Sequence, residues 1–282
     1  MMRRDEIISQ AKALPQMPAP VMRVMNYLAK PDSDLNVLAQ LIEYDPGLTV
    51  NVLRMANSSF FGGGGRIASV REALFRLGTR RVVQLVIASG VAPNARAAVT
   101  GYGLAEGELL RHSIAVGVAA ELVASETGNR APDHTFTAGL LSNIGKVVMG
   151  KYLEMDQDPI LSLAQRENIP FEQAERRLLK IDHAELGALL LEHWQMPEPI
   201  VSCVRWHLDP CSAPLQDDAL DLVHIGRVLA TMAGIGQGVD GLQYEVCQKS
   251  FDRLGLTPEA MARVLEKLVD SIGEIEDILA QV

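Results

Sequence analysis

Six histidines are the side chains of this chain best suited to acid–base or metal chemistry, and they stand far apart. They are His112, His134, His183, His193, His207 and His224. No two of them form an HxH or HExxH pair, so the sequence contains no helix that places two zinc ligands one turn apart. An isolated histidine is more often a hydrogen-bonded core or surface residue than a ligand. Their spacing alone therefore identifies no active site.

Polar residues interrupt apolar stretches in four segments near three of these histidines. Residues 111–114 read RHSI at the start of an apolar helix, and residues 138–147 read AGLLSNIGKV. Residues 182–187 then read DHAELG, and WQMP at 194–197 precedes His207 by one predicted helix. Taken together, the segments form an ordered pattern that no single histidine provides.

This order resembles the HD superfamily, whose helical core carries a first histidine, a His-Asp pair in an LLHDIGK setting and a later aspartate. N-terminal motifs sharpen the match to the HD-related output domain, HDOD: LPQMP at 14–18, DPGL at 45–48, VLRMANSSFFG at 52–62 and ALFRLG at 73–78. The resemblance covers residues 14–210. It implies an all-α fold in which an HD-like helical bundle follows an N-terminal helical subdomain.

The resemblance also implies a vestigial HD pocket, built from His112, Ser142, Asn143, His183, His207 and Arg227. Ser142 and Asn143 occupy the positions of the family's His-Asp pair. Arg227 occupies the position at which the resemblance places the late aspartate. A divalent metal needs carboxylates beside neutral imidazoles, whereas an arginine adds positive charge. We therefore predict no catalysis and no cofactor. If a transition metal were bound, its ligands would be His112, His183 and His207.

Arg227 has two interpretations. Its helical angle places it on a narrow face with His224 and Thr231, which favours an arginine that faces solvent. Alternatively, its guanidinium lies in the pocket, where it pairs with a carboxylate such as Asp182 or binds an anionic small ligand.

The family resemblance implies a non-catalytic bacterial signal-transduction module. It would act through contacts with other signalling proteins, or through a small ligand in the vestigial pocket. No receiver or second output domain is visible in the chain, so a partner in trans is expected. The alternative function is a metal-dependent phosphohydrolase that acts on nucleotides or cyclic dinucleotides with an altered ligand set.

The charge balance argues against a nucleic-acid partner. Acidic residues number 35 and Lys and Arg together 26, which gives a formal net charge of −9. One basic cluster, Arg71, Arg76, Arg80 and Arg81, flanks Gly78. A solvated surface explains it more simply than an anionic partner does.

Helical spacing dominates the chain, and start signals are clear at Asp34 and at Asp45-Pro46. Residues 62–65, four glycines, predict a loop. Residues 82–91 fit a buried strand or a helix; we predict a helix that is capped by Thr79, closed by Gly90 and stopped by Pro93. The small-residue connector at 93–103 predicts two domains, 1–103 and 104–282.

The cysteines and the apolar stretches predict a cytoplasmic protein. Cys203, Cys211 and Cys247 form no CxxC pair, and their odd number indicates a reducing compartment. We expect neither a secretion signal nor a membrane span. An apolar C-terminal stripe consists of Val264, Leu265, Leu268, Val269, Ile272, Ile275 and Ile278. It packs on the bundle or joins a second copy in a homodimer, and the sequence leaves both alternatives open.

Overall fold

The computed structural model describes residues 2–13, 17–28, 34–58, 66–242, 244 and 246–271. Every regular element in these residues is helical, apart from one isolated bridge between Val99 and Leu104. The predicted all-α fold is therefore confirmed. The α-helices are α1 (Met2–Lys12), α2 (Ala19–Leu28), α3 (Leu35–Glu43), α4 (Pro46–Ala56), α5 (Val70–Arg96), α6 (Glu108–Glu126), α7 (Thr135–Leu141), α8 (Gly145–Glu167), α9 (Phe171–Leu179), α10 (His183–His193), α11 (Glu198–Trp206), α12 (Asp218–Met232), α13 (Gln248–Leu254) and α14 (Pro258–Asp270).

The described residues form two compact units. The larger contains α1 and Asn94–Asp270, and the smaller contains Pro15–Pro93. The division into domains 1–103 and 104–282 stays a prediction.

Two helices of the smaller unit begin where the sequence predicts. The Asp34 carboxylate accepts a hydrogen bond of 2.6 Å from the Asn36 amide and caps α3. The Asp45 carboxylate accepts one of 2.8 Å from the Leu48 amide and caps α4, with a proline as the first helical residue. Both carboxylates satisfy amides that have no partner inside the helix, so the predicted caps are confirmed.

Residues 82–91 are helical, as predicted, but the predicted end of that helix is wrong. Helix α5 passes through Gly90 and Pro93 and ends at Arg96. A Cβ atom at Gly90 would lie 3.0 Å from Val21, so this glycine admits the close approach of α2 and does not end the helix. The break in α5 is at Gly78, where φ is 80° and ψ is 162°. The predicted loop at 62–65 lies outside the described residues.

Helix α6 forms the centre of the larger unit and packs against α7, α12 and α14. A Cβ atom at Gly139 would lie 2.7 Å from the Gly117 Cα, and one at Gly226 would lie 2.6 Å from the Val116 carbonyl oxygen. Glycine is therefore required where α7 and α12 cross α6.

The described part of the C-terminal stripe packs on this bundle. Val264 and Leu268 on α14 are fully buried, whereas Val269 is exposed. Because α14 packs on α6 and α12, the intramolecular alternative applies up to Asp270. Ile272, Ile275 and Ile278 lie outside the described residues, and a homodimer through them stays a prediction.

The cysteines depart from the expectation of reduced thiols. Cys211 and Cys247 form a disulfide between residues 36 apart in sequence, and Cys203 is a buried free thiol. The sequence interpretation did not identify this pair, because cysteine count and spacing do not show which thiols folding brings together. In the part of the chain that the structure describes, none of the helices combines the length and the apolar composition of a membrane span. The cytoplasmic location stays a prediction.

Candidate functional site

Four of the six predicted pocket residues surround one small cavity in the larger unit. Its volume is about 10 Å³, which is about the room that one water molecule needs. The cavity is lined by His112, Asn143, Lys146, His183, Arg227, Thr231, Gly236, Gln237, Gly238, Asp240 and Gly241. Helices α6, α8, α10 and α12 therefore supply its walls, and residues 234–241, here called the glycine loop, close it.

Ser142 and His207 belong to the predicted pocket but do not line the cavity. The Ser142 hydroxyl donates to the Gly139 carbonyl at 2.8 Å and accepts from the side-chain Nδ2 of Asn143 at 3.0 Å. His207 is buried behind the cavity, with its ring centroid 6.3 Å from that of His183. Its Nδ1 contacts the Val204 carbonyl oxygen at 2.7 Å, and its buried Nε2 has no hydrogen-bond partner among the described residues.

Two buried imidazoles are held by backbone groups. His112 Nδ1 lies 2.7 Å from the carbonyl oxygen of Ile235 in the glycine loop. His224 Nδ1 lies 2.8 Å from the His207 carbonyl oxygen, and its Nε2 accepts from the Cys247 amide at 3.0 Å. Burial first, then the charge of Lys146 at His112 and of Arg227 at His224, lowers the pKa of each to about 4. Both rings are therefore neutral near pH 7.

The neutral imidazoles predict a loss of stability in acid. For His112 and His224 the pKa falls from 6.5 in the unfolded chain to about 4 in the folded protein, so the unfolded chain binds more protons between these values. We expect the stabilisation to be complete above pH 6.5 and to be lost as the pH falls towards 4, on the order of 3 kcal/mol for each imidazole. Urea titrations at several pH values measure this loss.

A matched pair of variants isolates the effect. The change His224→Gln removes one of these titrations and should weaken the pH dependence, whereas His193→Gln changes an exposed ring and should leave it unaltered. Burial raises the pKa of Glu172 and of Asp182, and these carboxyl groups oppose the trend equally in both variants. An unchanged slope in His224→Gln would contradict the prediction.

Glu175 is a site residue that sequence analysis missed. It is fully buried, and its Oε2 accepts from the His183 amide at 3.0 Å and faces His183 Nδ1 at 2.9 Å. Its Oε1 accepts from the Tyr102 hydroxyl. Burial, together with this carboxylate, raises the pKa of Tyr102 well above its usual value. In sequence Glu175 sits among charged residues and resembles a solvated helix face, so no local signal marks it.

Arg227 lines the cavity, and the prediction that it faces solvent is wrong. It is 7% exposed, and every residue of α12 from Ala219 to Thr231 is buried. The angular position of a residue on a helix predicts exposure only when one side of that helix faces solvent. Neighbouring helices cover α12 on all sides. The predicted partner is also wrong, because Asp182 caps α10 through the Glu185 amide at 2.7 Å and pairs with Arg176.

A buried ion pair lies beside Arg227 and was also missed. Lys146 Nζ lies 2.7 Å from the Asp240 carboxylate, and it stands 5.3 Å from the centre of the Tyr102 ring. Burial raises the pKa of Asp240, but the charge and the hydrogen bond of Lys146, with contributions from His183 and His112, together outweigh burial and lower that pKa to about 2. The cavity therefore contains a lysine that is paired within the protein and an arginine that has no ion-pair partner among the described residues.

Residues 14–210 match the model of one protein family, described as the HDOD domain. The chain belongs to the HDOD family. Its structure is similar to that of an HDOD domain protein of unknown function from Geobacter sulfurreducens, with 26% identity, a TM-score of 0.74, and coverage of 98% of this chain and 97% of the other.

Two further similarities extend the comparison. A Shewanella amazonensis protein named as a candidate phosphohydrolase shares 21% identity and a TM-score of 0.73, over 98% of this chain and 97% of the other. A curated Treponema pallidum protein, named only as uncharacterized, is 29% identical over 203 residues, or 71% of this chain. The chain spans only 39% of that relative's length. The Shewanella likeness shows the fold alone.

The resemblance to the HD superfamily implies a divalent metal at this cavity, and the residues present do not fit one. Among the described residues, no three His, Cys, Asp or Glu side chains are grouped so that they could hold a metal ion. His112 and His183 line the cavity but His207 does not. Lys146 and Arg227 bring two positive charges, and the carboxylate of Asp240 is paired with Lys146. A dication placed there would meet repulsion without an acidic ligand to balance it.

Proposed function

We propose that this HDOD protein is a non-catalytic regulatory module of bacterial signal transduction. One observation carries the proposal: the buried guanidinium of Arg227 lines the cavity at which a hydrolase of the HD type needs an acidic metal ligand. Hydrolysis in that superfamily depends on water activated by metal, and a fixed positive charge opposes binding of the dication. The candidate signal transduction protein of Marinobacter aquaeolei VT8, with 24% identity and a TM-score of 0.73 over 96% of this chain and 60% of the other, has the same fold.

Metal content and turnover test this function directly. We expect purified protein to carry far less than one transition-metal ion per chain and to leave bis(p-nitrophenyl) phosphate intact in Mn²⁺. The physical reason is the charge balance of the cavity, in which Lys146 and Arg227 outnumber Asp240. Elemental analysis and release of nitrophenolate are the measurements.

A different pattern of metal content and turnover would support catalysis instead. Stoichiometric metal, together with turnover that is lost in His183→Ala and kept in His193→Ala, would establish the alternative function, a metal-dependent phosphohydrolase acting on nucleotides or cyclic dinucleotides. His193 is exposed, so its variant controls for the loss of an imidazole away from the cavity.

The proposed partner is another signalling protein that binds in trans. The formal charge of −9 disfavours a nucleic acid, because a phosphate backbone is attracted by basic surfaces. In the smaller unit, two arginines of the basic cluster already contact neighbours: Arg71 donates to Asn36 at 2.9 Å, and Arg76 pairs with Glu72 at 3.3 Å. Salt-sensitive binding to duplex DNA would argue against this choice of partner.

A further inference from the structure

We infer that the cavity binds the phosphate group of a small molecule, and that Asp240 occupies the place of that group until the glycine loop moves. In the bound state Arg227 and Lys146 hold the phosphate oxygens. The inference rests on the proposed function, since a ligand bound without hydrolysis is what a regulatory pocket requires. It adds the chemical class of the ligand and a competing group within the protein.

The first argument is the unpaired charge of Arg227. Its Nε and Nη2 are buried and have no hydrogen-bond partner, and none of the ion pairs among the described residues includes it. A buried charge without a partner is costly and persists only where something compensates it. The buried carboxyl group of Glu172 interacts electrostatically with Arg227. Burial raises the pKa of Glu172 more than the Arg227 charge lowers it, which favours the neutral carboxylic acid. Glu172 is thus a poor counterion.

The second argument is that the cavity already holds an anion. The Asp240 side chain is 13% exposed and lies 2.7 Å from Lys146 Nζ, whose side chain is 5% exposed. Lys146 and Arg227 line the same cavity, so one carboxylate serves a site with two cations. A phosphate group carries up to two negative charges and several acceptor oxygens, which suit a guanidinium fork and an ammonium together.

The third argument is the construction of the glycine loop. A Cβ atom at Gly236 would lie 2.3 Å from the Glu108 carbonyl oxygen, and one at Gly238 would lie 2.4 Å from that of Tyr102. The glycine loop therefore packs directly against the backbone of Glu108 and Tyr102. The space of about 10 Å³ holds about one water molecule and not a phosphate group, so the inferred site requires the glycine loop to move Asp240 away from Lys146 before a phosphate group enters. A cavity of this volume does not admit a nucleic-acid strand.

Thermal unfolding in inorganic phosphate and in pyrophosphate tests the inference, with sodium chloride at equal ionic strength as the reference. We expect the wild-type melting temperature to rise with the concentration of either anion, because a ligand that binds only the folded state stabilises it. Without added anion, the Arg227→Met variant should have a higher melting temperature than wild type, because it lacks the buried charge. Phosphate should not raise the melting temperature of this variant. Arg166→Met is the matched control, since its arginine side chain is 71% exposed, and it should respond like wild type.

A second variant tests the role of Asp240. The change Asp240→Asn removes the internal negative charge and keeps the size of the side chain, so phosphate should bind on the order of tenfold more tightly than to wild type. Calorimetric titration measures this ratio. If Arg227→Met fails to fold, the Asp240→Asn titration still decides: unchanged or weaker binding overturns the inference.

Other outcomes separate this inference from the proposed function. A wild-type protein that ignores both anions, or an Arg227→Met response equal to that of wild type, overturns the phosphate site and leaves the non-catalytic function intact. Phosphate binding accompanied by Mn²⁺-dependent hydrolysis of pyrophosphate would keep the site and overturn the function.

Discussion

Replacement of Glu175 by alanine is expected to lower the free energy of unfolding by about 3 to 5 kcal/mol. The change removes the acceptor for three donors at once: the His183 amide, His183 Nδ1 and the Tyr102 hydroxyl. All of these groups are buried, and water cannot replace the lost carboxylate without opening the core. Urea unfolding followed by circular dichroism gives the difference.

Two further variants make this result specific. Glu175→Gln keeps one acceptor oxygen but places an amide donor opposite other donors. We therefore expect a decrease in the free energy of unfolding that is smaller than for Glu175→Ala. Glu192→Ala removes an exposed carboxylate that pairs with Arg205, and a surface pair of this kind contributes about 1 kcal/mol or less. Equal losses in Glu175→Ala and Glu192→Ala would show that the Glu175 cluster does not stabilise the fold.

Substitution of alanine for Gly145 is expected to cost about 3 kcal/mol or more, at the upper end of what overpacking produces. An added Cβ atom would lie 2.0 Å from the His183 carbonyl oxygen and 2.7 Å from the Gly187 amide nitrogen. Both are backbone atoms, so no side-chain rotation relieves the clash, and the start of α8 must separate from α10. A shift of α10 would also displace His183 and change the shape of the cavity that His183 lines.

Gly47 offers the matched control, because it is also a helical glycine with an ordinary backbone conformation. An alanine there would contact only the flexible Asp45 carboxylate, at 3.3 Å, and should change stability by less than about 1 kcal/mol. Unfolding curves of both variants, measured side by side, provide the comparison. A Gly145→Ala protein as stable as wild type would contradict the close approach of α8 and α10.

Local features of the sequence predicted the fold well. Asp34, Asp45 and Pro46 start their helices where short-range hydrogen bonding and proline geometry require. The motifs that resemble HDOD proteins predicted the same span, 14–210, that the family model matches. These signals act over a few residues or follow a fixed order along the chain, so they can be identified without knowledge of the packing.

The end of α5 and the exposure of Arg227 were predicted incorrectly, for a shared reason. Gly90 and Pro93 are helix-ending residues by local propensity, yet α2 packs against Gly90 and the helix continues. Arg227 lies on a polar face by helical angle, yet α12 is surrounded by α6, α7, α11, α13 and α14. Tertiary packing outweighs a local preference in both cases.

The helical class and the family could be identified from the amino-acid order alone, and the resemblance to HDOD proteins predicts that Ser142 and Asn143 replace the usual His-Asp pair. The chemistry of the cavity depends on how the helices pack. The tertiary structure brought Asp240 to Lys146 across 94 residues, Glu175 to Tyr102 across 73, and the guanidinium of Arg227 into the interior. Helical periodicity specifies which side chains share a face, but which faces are buried together depends on contacts between distant helices, and those contacts set the charge balance of this site.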